Sequence, residues 1–479
     1  MGHSVDGQLA VPSPAMSRGV LALLTGIALI VAFSESMLVP AFPIIAHQYG
    51  STPNEVAWVS AIYLLIGAAS VPLVGKLADI YGRKRLLVAV MAIYSAAALL
   101  NAFTWNLESL IVSRAIQGVG LAMFPLAFAL IHDEVARDRV PLATGIVSGM
   151  NSIGSTIGLV GGAWITEQFG WHANYLILAP ASIALTVALA VFAVESPQRE
   201  RSGVDYVGAA FFAIGIGLVL TGLTEGAVLG WTSIGTVLLF GSGAAMIGLF
   251  VLQERRASAP LMDFKLPGIR NMLKTDALMF IAGAAFYLGF QLVTYFCQNP
   301  APGFGLDVTD AALVMLPGAA LMIVFALLAG VLMRRVGIRF PEFIALVLFV
   351  VGFLSFLFFH DTVTQIAVGF VPIVAGVAML FNSVVNATMV LAPAEKVGTQ
   401  NGALTVFQEV GQSVAAAIVG ATLVSFLNPV TLVPTGQAYL VLCLIGIGFA
   451  ALGFLVLATL PRITIPGTPA ALRPGPPTT

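Results

Sequence analysis

Cysteine, histidine and charge are all scarce in this chain. The two cysteines, Cys297 and Cys443, fall at or inside apolar runs, which excludes a disulfide framework and leaves no thiol cluster for a metal. The five histidines (His3, His47, His132, His172 and His360) are scattered, and neither His-Glu-x-x-His nor Gly-x-Ser-x-Gly occurs. The chain therefore carries no signature of a membrane-embedded hydrolase. Charged residues make up 9% of the composition and hydrophobic ones 59%, too little charge to cover a soluble surface. A net charge of −1 gives no bias toward nucleic acid. Gly215, Gly217, Gly446 and Gly448 sit in apolar runs with no preceding strand, so they form no nucleotide loop.

What the chain has in abundance is long apolar segments. Fourteen are long enough to cross a bilayer, at about 19–43, 54–77, 84–104, 108–131, 141–165, 172–194, 205–225, 232–253, 273–297, 309–332, 341–360, 364–391, 400–427 and 437–460. They are continuously apolar rather than alternating, so they read as helices and not barrel strands. Basic residues fall only in alternate gaps: Lys76, Arg83, Lys84 and Arg85 after the second segment, Arg137 and Arg139 after the fourth, and so on to Arg462 and Arg473 after the fourteenth. Cytoplasmic loops hold the excess of Lys and Arg, so both termini are expected in the cytoplasm. Those at span ends being counted with the gaps, the one basic residue that remains is Arg114, inside the fourth span. Residues 1–17 lack the basic region of a signal peptide, and the segment that follows reads as an uncleaved helix after a disordered tail. The Pro-rich stretch 462–479 reads as a second tail.

An internal repeat is present. Gly75, Leu77 and Gly82 are followed by Arg83, and Gly330, Leu332 and Gly337 by Arg339, an offset of 255 residues. Gly154 in the fifth span and Gly411 in the thirteenth are 257 apart. The expected fold is therefore an all-α integral membrane protein of 14 helices. Two six-helix bundles, 18–195 and 257–461, are related by a pseudo-twofold, and 196–256 supplies a linker and an inserted hairpin. Duplicated halves around a central site suit alternating access.

The loop Gly75–Arg85 closely resembles the signature of the major facilitator superfamily. Arg114, Gln117 and Gly118 resemble that superfamily's second motif, an intramembrane Arg followed by Gln and Gly. Gly154, Gly158 and Gly162 are similar to the antiporter motif of drug exporters, with Leu159 where a Pro is usual. Pro40 and Pro43 close the first span much as in the 14-helix drug:proton antiporters, with Ser34 at the usual Asp and Glu35 next to it. Pro260–Lys265 also looks like that branch. The resemblance covers nearly the whole chain. It implies a central cavity bordered by the first and fourth spans, and exchange of a solute for protons.

Several residues are candidates for that chemistry. Glu35 lies ~12 Å from the near end of its span and Arg114 ~9 Å, at about 1.5 Å per residue. Charges at that depth must be paired, face water or bind protons, so the two are expected to communicate across water; a static ion pair that sets helix register is the alternative. Glu409 shares a helix face with Thr405, Gln408 and Gln412. It serves either proton coupling and a cationic solute, or a hydrogen bond to a neighbouring helix. Gln117, Asn151, Ser155, Gln291, Tyr295, Asn382, Asn386, Gln408 and Gln412 are the expected cavity lining. Gly75, Asp79, Gly82 and Arg83 are the expected cytoplasmic gate, and Gly154, Gly158 and Gly162 a close-packing row.

The resulting expectation is a proton-coupled antiporter, not an enzyme, exporting hydrophobic or amphipathic small molecules. An importer or facilitator of a small polar solute on the same fold is the alternative. It needs no cofactor and no metal, takes its energy from the proton gradient, and works with protons, a small-molecule substrate and the bilayer but no nucleic acid. It is expected to act as a monomer in the plasma membrane.

Overall fold

The computed structural model describes residues 14–134, 140–193, 203–257, 260–261, 268–391, 397–428 and 433–461. These form α1 (Pro14–Ser36), α2 (Phe42–Tyr49), α3 (Pro53–Tyr81), α4 (Arg83–Ala102), α5 (Leu107–Gly118), α6 (Met123–Glu134), α7 (Val140–Phe169), α8 (His172–Phe192), α9 (Tyr206–Leu229), α10 (Ile234–Arg256), α11 (Ile269–Gln298), α12 (Val308–Val336), α13 (Arg339–Phe358), α14 (Val363–Leu391), α15 (Val397–Ser425) and α16 (Gly436–Thr459). Single 3₁₀ turns, Val39–Ala41 and Val119–Ala122, join α1 to α2 and α5 to α6, so these pairs each make one span. Thirteen segments are long and apolar enough to cross a membrane, and α7, at 30 residues, is the fourteenth.

Two expectations change at the first span. It does not end at Pro43 but continues through α2 to Tyr49, because Pro40 and Pro43 only interrupt the hydrogen-bond ladder. The presumed tail is helical from Pro14, and residues 1–13 lie outside the described part, as do 462–479 and the basic residues Arg137, Arg139, Arg199, Arg201, Lys265 and Lys396.

Local signals set the helix ends. Thr52 and Glu55 form a reciprocal capping box at the start of α3, with Pro53 in the first turn. Asn106 and Ser109 do the same for α5. The second glycine of each repeat copy turns the chain between spans: Gly82 has φ 106° and Gly337 φ 86°, conformations that a side chain would strain. Lys274 Nζ donates to Thr459 O at 2.7 Å and Arg339 to Leu457 O at 2.9 Å, so two cations meet the carbonyl end of α16.

The packing shows the duplication directly. In the first bundle α1 packs on α7, α4 on α8 and α3 on α5; in the second, α11 packs on α15, α13 on α16 and α12 on α14. The halves meet through the exchanged pairs α3 with α15 and α7 with α12. Both seams are tight at the end away from Gly82. Gln298 donates to Pro40 O at 2.8 Å, the Thr309 amide to Glu167 Oε2 at 3.3 Å, and Gly420 lies 3.0 Å from Asn54 Cα where a side chain would sit. Nearer the middle, Ser413 donates to Ala61 O at 2.7 Å. At the end bearing Gly82 and the basic residues, Gly75, Gly330 and Gly402 have no neighbouring atom within 4 Å of an added Cβ.

The α9–α10 hairpin lies along one seam. α9 touches both α3 and α15, through a cluster of Leu65, Leu220 and Ala417, and Asn54 Nδ2 donates to Thr224 O at 3.0 Å. α10 packs on α9, close at Gly215 and Gly243.

Candidate transport site

The site begins with the glycine row on α7. A Cβ on Gly154 would meet Leu29 of α1, one on Gly158 would meet Phe33 and Ser36, and one on Gly162 would meet Met37. The row therefore holds α1 in backbone contact, as expected of small residues four apart. Ser36 adds a hydrogen bond from its hydroxyl to Ser155 O at 2.8 Å. In the second bundle Gly411 meets Phe280 O and Gly283 meets Gln408 O, the same device on the repeat-related helices α11 and α15.

Arg114 is 1% exposed. Its Nε donates to Val59 O at 3.3 Å, one terminal nitrogen donates to Gln117 Oε1 at 3.0 Å, and the guanidinium lies 3.9 Å from the centre of the Tyr63 ring. Tyr94, Tyr175 and Tyr287 complete an aromatic surround. Hydrogen bonds and ring faces offset part of the desolvation of the cation. Among the described residues no carboxylate pairs with it within 4 Å; Arg83 pairs with Asp79 at 3.5 Å.

Two carboxyls share this region. Glu35 is half-buried, lies in the field of Arg114 and is within interaction reach of Gln412 on α15. Glu409, also on α15, is 5% exposed and feels the charge of Glu35. With the Arg114 guanidinium beside Glu35, the fully ionised trio carries one uncompensated negative charge, and one added proton brings it to neutrality. Around the trio, Tyr63 Oη, Glu409 Oε2, Gln412 Oε1 and Gln291 Nε2 are buried without a hydrogen-bond partner. Such orphaned polar atoms are uncommon in a fold unless a site uses them.

Other expected residues are placed as follows. Gln117 is fully buried beside Arg114, and Gln291 lies near Tyr287 on α11. Ser155 contributes its carbonyl to Ser36, and the Asn151 side chain lies outside the described part. Tyr295 is buried in the second bundle, where Tyr439 donates to its carbonyl. Asn382 donates to Ala326 O of α12 at 3.2 Å and Asn386 to Asn382, so these amides tie α14 to α12. Gln408 is half-buried with its backbone against α11. At the basic end Asp79 pairs with Arg83, which also donates to Ala129 O of α6 at 3.1 Å. Gly75 stands clear of neighbours, with no atom within 4 Å of an added Cβ.

Sequence reasoning missed Tyr94, Tyr175, Asn101, Ser113 and Ser413, none of which stands out by charge. It also missed Asp276, fully buried on α11, whose carboxyl accepts both bonds from Gln400 Nε2 at 3.1 and 3.2 Å. A lone carboxyl inside an apolar run was the available signal.

Two matched six-helix bundles enclosing a buried ionisable centre at their seam define a membrane transporter rather than an enzyme. The chain belongs to the Major Facilitator Superfamily, whose sequence model matches residues 24–416. It is 28% identical over 410 residues to Multidrug resistance protein Stp of Mycobacterium tuberculosis, covering 84% of this chain and 75% of the relative. It is 24% identical over 410 residues to the Tetracenomycin C resistance and export protein of Streptomyces glaucescens, covering 85% and 76%. Its fold is similar to that of a bacterial homologue of the human lysosomal transporter Spinster, with TM-score 0.64, 14% identity, and coverage of 94% of this chain and 99% of that one.

Proposed function

We propose that this protein is an antiporter of the plasma membrane that exports hydrophobic or amphipathic small molecules in exchange for protons. The observation that carries the reading is that Glu35, in the field of the buried cation Arg114, acts on Glu409 of the opposite bundle. A proton taken up there changes the charge on the surface that joins the halves, which links protonation to their relative motion. Relatives named for multidrug resistance and for antibiotic export support the direction. The proton gradient is the energy source, since one charge crossing 100 mV is worth about 2.3 kcal/mol.

With the basic ends in the cytoplasm, both termini are cytoplasmic and the end bearing Gly75, Gly330 and Gly402 faces the cell interior. Asp79, Arg83, Gly75 and Gly82 then form the gate that closes that end when the halves rock. The lining would include Gln117, Asn151, Ser155, Gln291, Gln408 and Gln412, and the unit works as a monomer without a bound cofactor.

The test uses inside-out vesicles containing the full chain, an imposed pH gradient and a fluorescent pH reporter, with compounds drawn from a resistance screen in a host lacking its own pumps. Export predicts dissipation of the gradient on adding substrate and accumulation of substrate in the vesicles. Accumulation in whole cells instead would establish the import reading.

A further inference from the structure

Arg114 is held by a chain of neutral side chains that the motifs do not include. Asn101, at the end of α4, is fully buried. Its Nδ2 donates to Gln117 Oε1 at 3.0 Å, and its Oδ1 accepts from the Ser113 hydroxyl at 2.6 Å. The same Gln117 oxygen accepts from Arg114 at 3.0 Å, while Gln117 Nε2 donates to Ser34 Oγ at 3.1 Å. An amide oxygen has two acceptor sites, and both are occupied by donors. Were the Gln117 amide to turn over, its NH2 group would face the guanidinium and the NH2 of Asn101. The Ser113 hydroxyl beside Asn101 Oδ1 also lies 2.8 Å from Ser109 O and 3.0 Å from Leu110 O, so it packs against Asn101 without fixing which way that amide faces. Arg114 can only donate, so Gln117 Oε1 faces it, and Asn101 Nδ2 fills the second acceptor site from behind.

We infer that Asn101 is a positioning residue for proton exchange: through Gln117 it keeps the Arg114 fork on α3 and α5, near Glu35 but not hydrogen-bonded to it. This inference rests on the proton-coupling reading given above. Ser34, bonded to Gln117, is the neighbour of Glu35 on α1, so the network ends beside the carboxyl it governs. The other titratable groups around Glu35 and Arg114 are Tyr63 on α3, Tyr94 on α4, Tyr175 on α8, Tyr287 on α11 and Glu409 on α15. None of these tyrosines supplies a charge that replaces the tether. With Asn101 removed, one acceptor site on Gln117 is vacated and its amide is held only by Arg114 and Ser34, a looser tether. Arg114 then reaches Glu35 and closes an ion pair that holds the carboxylate.

The experiment is infrared spectroscopy of the purified full-length protein in lipid, with no substrate added. The protonated-carboxyl band of Glu35 is assigned by its loss in Glu35→Gln. In Asn101→Leu the midpoint of that band's pH profile is expected to move toward acid by about one unit, the size of effect a new adjacent cation has on a carboxyl. Ser113→Ala, which deletes one oxygen and leaves the core packed, is expected to move it the same way by less. Unmoved midpoints in both variants would overturn the positioning role while leaving Glu35 as the proton site. If no band lost in Glu35→Gln titrates between about pH 4 and 10 in the parent protein, the coupling reading fails and this inference fails with it.

Discussion

Glu35 and Glu409 approach each other from opposite bundles and lie within each other's electric field, deep in the seam that joins the halves. The arrangement depends on backbone contacts rather than on the carboxyls themselves. The glycine row of α7 fixes α1, and Gly411 and Gly283 fix α15 on α11, so each carboxyl is presented by a rigid helix pair. Ser413 and Ala61 then hold α15 on α3 one turn from Glu409. A change in charge between two such rigid units acts on their separation, because neither side chain is free to withdraw with its helix.

Replacing Glu409 with Gln keeps the shape and removes one of the two like charges. Repulsion between partly desolvated carboxylates is on the order of 1–2 kcal/mol. Glu409→Gln should therefore raise the melting temperature more at pH 8 than at pH 5. Thermal unfolding in detergent at the two pH values measures this; an equal change at both would show that the carboxyls do not repel.

Arg114→Lys should behave as a loss and not as a conservative exchange. An ammonium cannot donate simultaneously to Val59 O and Gln117 Oε1 in the fork geometry, nor lie flat on the Tyr63 ring. Losing a buried hydrogen bond made by a charged group typically costs about 1.5–3 kcal/mol. Gradient-driven export should fall at least tenfold in Arg114→Lys, with Arg114→Ala no better. Full export by the Lys variant would show that only the charge matters.

The glycines divide into two groups with opposite expectations. Gly158→Val drives a branched side chain into the Phe33 backbone and Ser36 of α1, where overpacking costs about 1–3 kcal/mol or more. Gly75→Ala adds a methyl to open space in this conformation and should leave the melting temperature unchanged. Comparing the yields and melting curves of the two variants checks both. A tolerated Gly158→Val would mean that α1 and α7 are not in backbone contact.

Much of the fold could be read from the residues because lipid permits few solutions. Long apolar runs, basic residues in alternate gaps and the spacing from Gly75 to Gly330 contain the span count and the repeat. Gly154, Gly158 and Gly162 announced a packing row, and Arg114 announced a site by its cost. What stayed hidden depends on which neighbour a helix face meets. The helical spacing of Asn382 and Asn386 identifies a face, but the structure turns those amides to α12. Tyr94 and Tyr175 become a cation's surround only when α4, α5 and α8 are assembled. The hairpin was harder still: α9 and α10 are apolar on every side, so no periodicity indicates that α9 lies against α3 and α15 together.

That placement bears on a last prediction, which concerns which end of the molecule is shut. Gly420 of α15 abuts Ala57 of α3 so closely that an added Cβ would lie 2.6 Å from the alanine's, and Asn54 in the same turn donates to Thr224 of the hairpin. With the buried Cys297 and Cys443 replaced, cysteines at 57 and 420 should bridge under mild oxidation after a shift of about 1 Å, since a disulfide needs Cβ atoms roughly 3.5–4.5 Å apart. The bridge ties the two bundles at the end away from Gly82, so export should stop on oxidation and return with reductant. Undiminished export by the fully bridged protein would mean that the α3–α15 seam does not open there during transport, and that the halves move about some other line.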